Sequence, residues 1–183
     1  MGKQNLMDII TRDNTQTIDC WSGSTELSYR LWKYLKIGTS YSFLRLNHEK
    51  RGWESAHRYN VYVQGSYKWN RFVFSLRERY QHTYRTGVSS TSKRANPKDI
   101  LRSRLQLSYN IHKSHFTPFI SCEFFNTLND PRENGLEKMR YTVGTKYKID
   151  KKNSIDIYYR YQTKTDDDES SMHIAGLNYT VKF

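Results

Sequence analysis

Long apolar runs are missing from this 183-residue chain. No stretch approaches the roughly 18 consecutive apolar residues a membrane-crossing helix needs, and mean hydropathy is −0.89. A helical period is missing too, since no segment repeats its apolar side chains every ~3.6 residues. Proline occurs three times, and only Pro118 falls in a predicted strand, near its start, where the lost N–H is tolerated. The opening Met1-Gly2-Lys3-Gln4-Asn5-Leu6-Met7-Asp8 has no apolar core of the signal-peptide kind. Cysteine is limited to Cys20 and Cys122. Alternation places Cys20 on a polar face with Ser22 and Glu26, and Cys122 on an apolar face with Ile120 and Phe124. Opposite faces of one wall are out of disulfide reach, so two free thiols are expected. No Cys/His spacing of the zinc type occurs, and neither metal nor cofactor is expected. Acidic residues are the minority, 18 against 30 Lys and Arg, for a net charge of +12. Aromatics at 15% nevertheless exclude a solvated, disordered chain.

What is abundant is a period of two, the mark of a strand with unlike faces. Tyr59, Val61, Val63, Gly65, Tyr67 and Trp69 share one face, against Arg58, Asn60, Tyr62, Gln64, Ser66 and Lys68 on the other. Leu101, Ser103, Leu105, Leu107, Tyr109 and Ile111 alternate with Arg102, Arg104, Gln106, Ser108 and Asn110. The same pattern runs through 155–162 and 175–183, and predicts strands near 18–32, 35–46, 72–85, 117–127 and 139–149. A weaker strand is predicted at Met7–Arg12. The reading is an all-β chain: one antiparallel up-and-down barrel domain over 1–183 with about ten strands, 1–16 forming a weak or truncated first one.

Short connections at 32–34, 69–71, 110–115 and 149–153 alternate with long polar loops at 45–55, 85–98, 128–138 and 165–172. In a meander, alternate connections lie at opposite ends of the sheet. Tight turns therefore gather at one end and long loops at the other, as in transmembrane β-barrels. Strands of about 10 residues suit a tilted crossing of a bilayer. Aromatics near predicted strand ends (Trp32, Tyr34, Tyr67, Trp69, Phe72, Tyr109, Phe116, Tyr147, Tyr179, Phe183) suit interfacial girdles. The segment 176–183 resembles the C-terminal insertion signal of bacterial outer-membrane proteins through Gly176, Tyr179, Val181 and Phe183, although Ile174 stands where a polar residue is usual.

Beyond Asp19 the chain also resembles a family of small outer-membrane barrels of unknown function, common in Bacteroidota. The resemblance rests on Trp21, Tyr29-Arg30-Leu31, Tyr41-Ser42-Phe43, Leu76-Arg77-Glu78-Arg79-Tyr80, Leu101-Arg102-Ser103-Arg104-Leu105 and Pro118-Phe119-Ile120-Ser121-Cys122-Glu123-Phe124. It implies the outer membrane of a Gram-negative cell and supplies no activity. Members of that family carry a signal peptide and a further strand, so Met1 reads as a late start. The partners expected are outer-membrane lipid, lipopolysaccharide and the barrel-assembly machinery, with a monomeric barrel and no nucleic acid.

Alternation alone leaves open which face points inward. A soluble lipocalin-like carrier lines its cavity with the apolar face, whereas a membrane barrel turns it to lipid. The facing of Leu105, Leu107, Ile155, Ile157, Leu177 and Val181 separates the two. A third class is an outer-membrane acyl-modifying enzyme, for which the nearest local combination is His82 with Ser75 and Glu78; no catalytic residue is assigned. Glu78 is the one charge on the expected lipid face of its strand. Asp166-Asp167-Asp168-Glu169 lacks the spacing of a calcium loop and reads as a solvated loop.

The polar face carries Arg30, Lys36, Arg58, Lys68, Arg77, Arg79, Arg102, Arg104, Arg140, Lys146, Lys148, Arg160, Lys164 and Lys182. Only Glu26, Glu123 and Asp156 oppose them there, so the basic excess belongs to the barrel interior. Such an interior is hydrated, holds counter-anions or pairs its charges. Glu26, Arg77, Arg79, Arg102, Arg104, Glu123, Arg140 and Arg160 are expected to form a lumenal charge network. It either fills and rigidifies a narrow barrel, with Tyr62, Gln64, Phe119 and Tyr158, or makes a small anion-preferring conduit or binding site.

Overall fold

The computed structural model describes residues 2–6, 20–48, 52–90, 95–130, 134–164 and 171–182. The order is β1 (Gly2–Leu6), β2 (Cys20–Arg30), β3 (Leu35–His48), β4 (Gly52–Trp69), β5 (Phe72–Arg85), β6 (Lys98–Tyr109), β7 (Phe116–Thr127), β8 (Gly135–Lys148), β9 (Asn153–Lys164) and β10 (Met172–Lys182). Each strand pairs antiparallel with its chain neighbour. Nine long strands carry the sheet round, and β1 closes it between β2 and β10, with Lys3 opposite both Glu26 and Lys182. The closing strand is short: it covers Gly23–Leu27 of β2 and Tyr179–Lys182 of β10, so among the described residues Met172–Asn178 of β10 has a strand partner on the β9 side alone. The first strand lies at Gly2–Leu6; the predicted Met7–Arg12 strand falls outside the described residues.

The alternation has one inner and one outer side. Leu105, Ile157 and Leu177 are 54%, 55% and 52% exposed, whereas Tyr62 on the opposite face of its strand is 1% exposed. Leu107, Ile155 and Val181 share the outer parity. The apolar face points outward, which is the reverse of a lipocalin-like carrier. Among the described residues no helix is long and apolar enough to cross a membrane, so any crossing is made by strands.

Four turns gather at one end. Residues 31–34 join β2 to β3 through Leu31 N to Leu35 O (3.0 Å). Asn70 takes a left-handed φ of 53° in the two-residue turn between β4 and β5, a conformation asparagine tolerates better than most residues. At the β8–β9 turn the Asp150 carboxylate accepts from Lys152 N (2.6 Å), Asn153 N (2.7 Å) and Asn153 Nδ2 (2.7 Å). Those bonds, the Asn153 side chain foremost, hold its carboxyl below the usual carboxylate range.

At the other end the loops are shorter than the sequence pattern implies. The predicted 45–55 loop is mostly strand, for β3 and β4 stay paired up to His48 opposite Gly52. Likewise β8 begins at Gly135, with a bulge opposite Phe125 and Asn126. The physical reason is common to both. Strand ends that rise above an apolar band meet water on their outer face, so the two-residue alternation fades while the hydrogen-bonded ladder continues. The acidic run at 166–169 lies outside the described residues.

Outward aromatics form the rim of the short-turn end. Trp69 and Phe72 lie 6.4 Å apart, Phe72 and Tyr109 5.0 Å, and Phe116 and Tyr147 4.9 Å between ring centroids. Toward the long-loop end a second belt joins tyrosine to histidine: Tyr41 Oη lies 2.8 Å from His57 Nδ1, and Tyr159 meets His173. The sequence pattern missed this second belt because each Tyr–His pair joins different strands. From Tyr59 to Trp69, at about 3.4 Å per residue and a tilt near 40°, the separation is roughly 25 Å, the height of a transmembrane apolar band.

The candidate lumenal site

The inner face is organised in rows across neighbouring strands. One row runs Lys36, Gln64, Arg77, Arg104, Glu123, Arg140 and Gln162, each residue opposite the next. The adjacent row runs Gly38, Tyr62, Arg79, Arg102, Phe125 and Lys138. Arginine thus faces arginine twice across β5 and β6, Arg77 with Arg104 and Arg79 with Arg102. Directly opposed side chains start about 5 Å apart, so like charges there repel unless something intervenes.

Part of what intervenes is protein. Arg102 Nη2 donates to Glu123 Oε1 at 2.9 Å and Arg102 Nη1 to Gln81 Oε1 at 2.9 Å. Arg140 Nη1 lies 3.6 Å from Glu123 Oε2, and Arg140 Nη2 donates to Gln162 Oε1 at 2.8 Å. Arg102 and Arg140 both stack on Phe125, at 4.5 and 4.8 Å from the ring centroid. Arg77 Nε donates to Gln64 Oε1 at 2.9 Å, and its guanidinium lies 4.5 Å from the Tyr62 centroid. Tyr62 Oη in turn donates to Glu26 Oε1 at 2.8 Å, which Lys36 Nζ approaches to 3.8 Å. Arg160 stacks on Tyr158 at 3.9 Å. Of the expected network, Arg102, Glu123 and Arg140 make one cluster, Arg77 and Glu26 meet through Tyr62, and Arg160 packs lower in the barrel.

Two tyrosines lie across the lumen because glycine faces them. A Cβ on Gly38 would stand 2.4 Å from Tyr62 Cζ, and one on Gly176 2.3 Å from Tyr158 Cζ. Gly176, quoted in the sequence for its place in a terminal signal, therefore also serves as the seat of Tyr158. Tyr179 and Val181 point outward; Phe183 lies outside the described residues. Ile174 is buried at 5% exposure opposite Arg160, so the residue that departs from the signal pattern fills the interior.

Charges the sequence reading assigned to loops also enter the barrel. Glu137 sits at the β8 bulge, where Lys98 Nζ (2.7 Å) and Thr127 Oγ1 (2.6 Å) donate to its Oε2. Lys138 stacks on Phe125 at 5.1 Å, and Glu54 is buried on the inner face of β4. Conversely Arg30, Lys68 and Lys148 are exposed at the turn end of their strands. The interior is thus less one-sidedly basic than the alternation implies, and its excess concentrates on β5 and β6. Phe125 was legible in the sequence, since it shares parity with Glu123.

The outer wall carries its own polar groups. Ser75 faces inward while Glu78 and His82 face outward, so that combination does not assemble. His82 Nδ1 instead lies 2.7 Å from Asp99 Oδ1, and Asn129 Nδ2 donates to Asp99 Oδ2 at 3.0 Å, tying the rims of β5, β6 and β7 together. Cys122 is a free, half-buried thiol on the outer face; the Cys20 side chain lies outside the described part. Glu78 stands midway along β5 on the outer face, its Oε2 accepting from Ser103 Oγ at 2.7 Å. Replacing it by Leu in the folded protein in vesicles is expected to raise stability by about 1–2 kcal/mol, since a lipid-facing carboxylate is a cost. Urea unfolding checks this, and a loss of stability would mean that the carboxylate has a partner in the membrane.

Fold and inner face together define an up-and-down antiparallel β-barrel, apolar on its outer face and with arginines opposed on the inner face of β5 and β6. The chain belongs to the family described as a protein of unknown function (DUF2490), whose model matches residues 7–173. No curated protein matches it by sequence. Among solved structures it is similar to a bacterial polysaccharide outer membrane secretin, with a TM-score of 0.60 and 10% identity over 90% of this chain and 57% of that one. It therefore spans little more than half the secretin's length. It is also similar to the NanC porin, with a TM-score of 0.56 and 14% identity over 100% of this chain and 98% of the porin. The KdgM porin, solved in complex with disordered oligogalacturonate, gives a TM-score of 0.47 and 13% identity over 100% and 97% of the two chains. At these identities the likeness is one of fold.

Proposed function

We propose that this protein is a bacterial outer-membrane barrel that admits small anions to an arginine-lined lumen, and that it is a conduit and not an enzyme. The observation that carries the reading is the opposed arginine pairs of β5 and β6 on the inner face of a barrel whose outer face is an apolar band between two aromatic belts. An apolar surface of that extent facing water would be an aggregation site, whereas lipid accepts it. A narrow, low-dielectric lumen of one sign concentrates ions of the other sign. Lipid and lipopolysaccharide surround the barrel in this reading. The barrel-assembly machinery recognises the terminal strand through Gly176, Tyr179, Val181 and Phe183, and the closed barrel stands as a monomer.

Reversal potential across a planar bilayer holding the refolded protein in a potassium chloride gradient tests the proposal. The expected sign is that of chloride preference, weakened when Arg77→Gln and Arg104→Gln are combined. Absence of conductance or a cation-preferring potential overturns the conduit. The first of those outcomes favours a second reading for which Tyr62 and Tyr158 speak directly: seated on Gly38 and Gly176, they brace a filled barrel whose role is mechanical.

A further inference from the structure

The four arginines of β5 and β6 are not equivalent. One diagonal of the square is occupied by protein acceptors, Arg77 by Gln64 and Arg102 by Gln81 and Glu123. The other diagonal is Arg79 and Arg104. Among the described residues neither makes a hydrogen bond or an ion pair; Arg79 only stacks over Tyr62, at 5.6 Å, and its Nε is buried without an acceptor. Both face the barrel interior and each stands opposite a further arginine; Arg104 has Glu123 on its other side, without a hydrogen bond to it. A guanidinium shut away from water without an acceptor loses a charge-assisted hydrogen bond and repels its neighbours at close range. The backbone positions of diagonal neighbours on adjacent strands lie about 7–8 Å apart, within reach of two long side chains converging on one oxyanion. Planar forks of N–H donors on both sides match the paired oxygens of a carboxylate or phosphate group, and a spherical halide offers nothing to the fork geometry.

We infer that Arg79 and Arg104 form a defined oxyanion-binding site in the barrel, one that holds a carboxylate or phosphate group between β5 and β6. The site deepens the proposed conduit, since it names what the lumen selects, but it does not require ions to pass. Glu123 borders it and limits its charge: already bound by Arg102 and faced by Arg140, it leaves the Arg79–Arg104 diagonal to an outside anion.

Equilibrium unfolding in urea of the full chain refolded in detergent micelles reads the site even if the lumen is sealed, because a ligand that binds only the folded state raises stability with its concentration. The probes are inorganic phosphate, acetate and chloride at matched ionic strength. Phosphate or acetate is expected to raise the midpoint beyond chloride. The shift should vanish in the Arg79→Gln/Arg104→Gln variant, with each single variant weakening the apparent affinity on the order of tenfold. In chloride alone the double variant should be at least as stable as the parent, since unpaired charges have been removed; this guards against a variant that simply fails to fold. Lys68→Gln, on the exposed turn end, should keep the parent's response. Equal midpoints in all three salts, or a phosphate shift that survives in the double variant, would overturn the site. Chloride preference in the bilayer experiment can persist in either case, so the conduit and the site fail separately.

Discussion

Glu123→Ala is expected to destabilise the barrel by about 3–5 kcal/mol, the cost of leaving buried charges without their counter-ion. The Glu123 side chain is 12% exposed, and the change takes the carboxylate from Arg102 and Arg140, leaving them amide acceptors beside Arg79 and Arg104. Because the loss is one of charge balance, it should shrink as salt rises. It should also be largely restored by Arg102→Met in the same chain, since the Phe125 ring under Arg102 packs equally well against a thioether. Urea unfolding of the single variants and the double variant at low and high salt measures both effects. A cost below about 1 kcal/mol at low salt would mean that water or ions already screen the interior. The arginine cluster would then be a hydrated surface and not a buried network.

Gly144→Val should have an effect of similar size from a different cause. A Cβ at Gly144 would stand 2.6 Å from the backbone oxygen of Ile157, 2.7 Å from Tyr158 Cβ and 2.9 Å from Phe119 Cζ. The first of these neighbours cannot rotate away, because it belongs to the strand opposite. Either the β8–β9 ladder parts or the barrel wall bends, at a cost of about 3 kcal/mol or more. Gly176→Ala is the milder control: its clash is with the ring end of Tyr158, which truncation of that tyrosine to Leu should relieve. Heat-modifiability on gels and unfolding midpoints distinguish the two. If Gly144→Val folded as well as the parent while Gly176→Ala did not, the tyrosine and not the backbone would be the tight element at this level of the barrel.

Strand order and the division of side chains into an apolar and a basic set were legible in the sequence for a physical reason. A barrel wall has two unlike sides, and its side chains alternate between them, so the two-residue period records that Leu105 and Arg104, or Ile157 and Tyr158, face opposite ways without reference to any other strand. The signal fails where the contrast between the two sides fades. At the long-loop end of β3 and β4 the inner face stays buried at Leu44, Glu54 and Ala56 while the outer face turns polar, and there a paired strand end looked like the loop at 45–55. At the β8 bulge the parity slips by one residue, which turned Glu137 inward and hid it from any count based on alternation.

The amino-acid order by itself determined an antiparallel wall with one apolar and one basic face. Only the tertiary structure decided that the apolar face is the convex one, because alternation is symmetric under exchange of inside and outside. Closure, too, was decided there, through the pairing of Gly2–Leu6 with both β2 and β10. The register between strands settled the rest. It set arginine opposite arginine on β5 and β6, gave Gln64, Gln81 and Glu123 to one diagonal and left Arg79 and Arg104 on the other. Cross-strand neighbours depend on how far each strand slides against the next, a quantity that the spacing of residues along one strand does not contain.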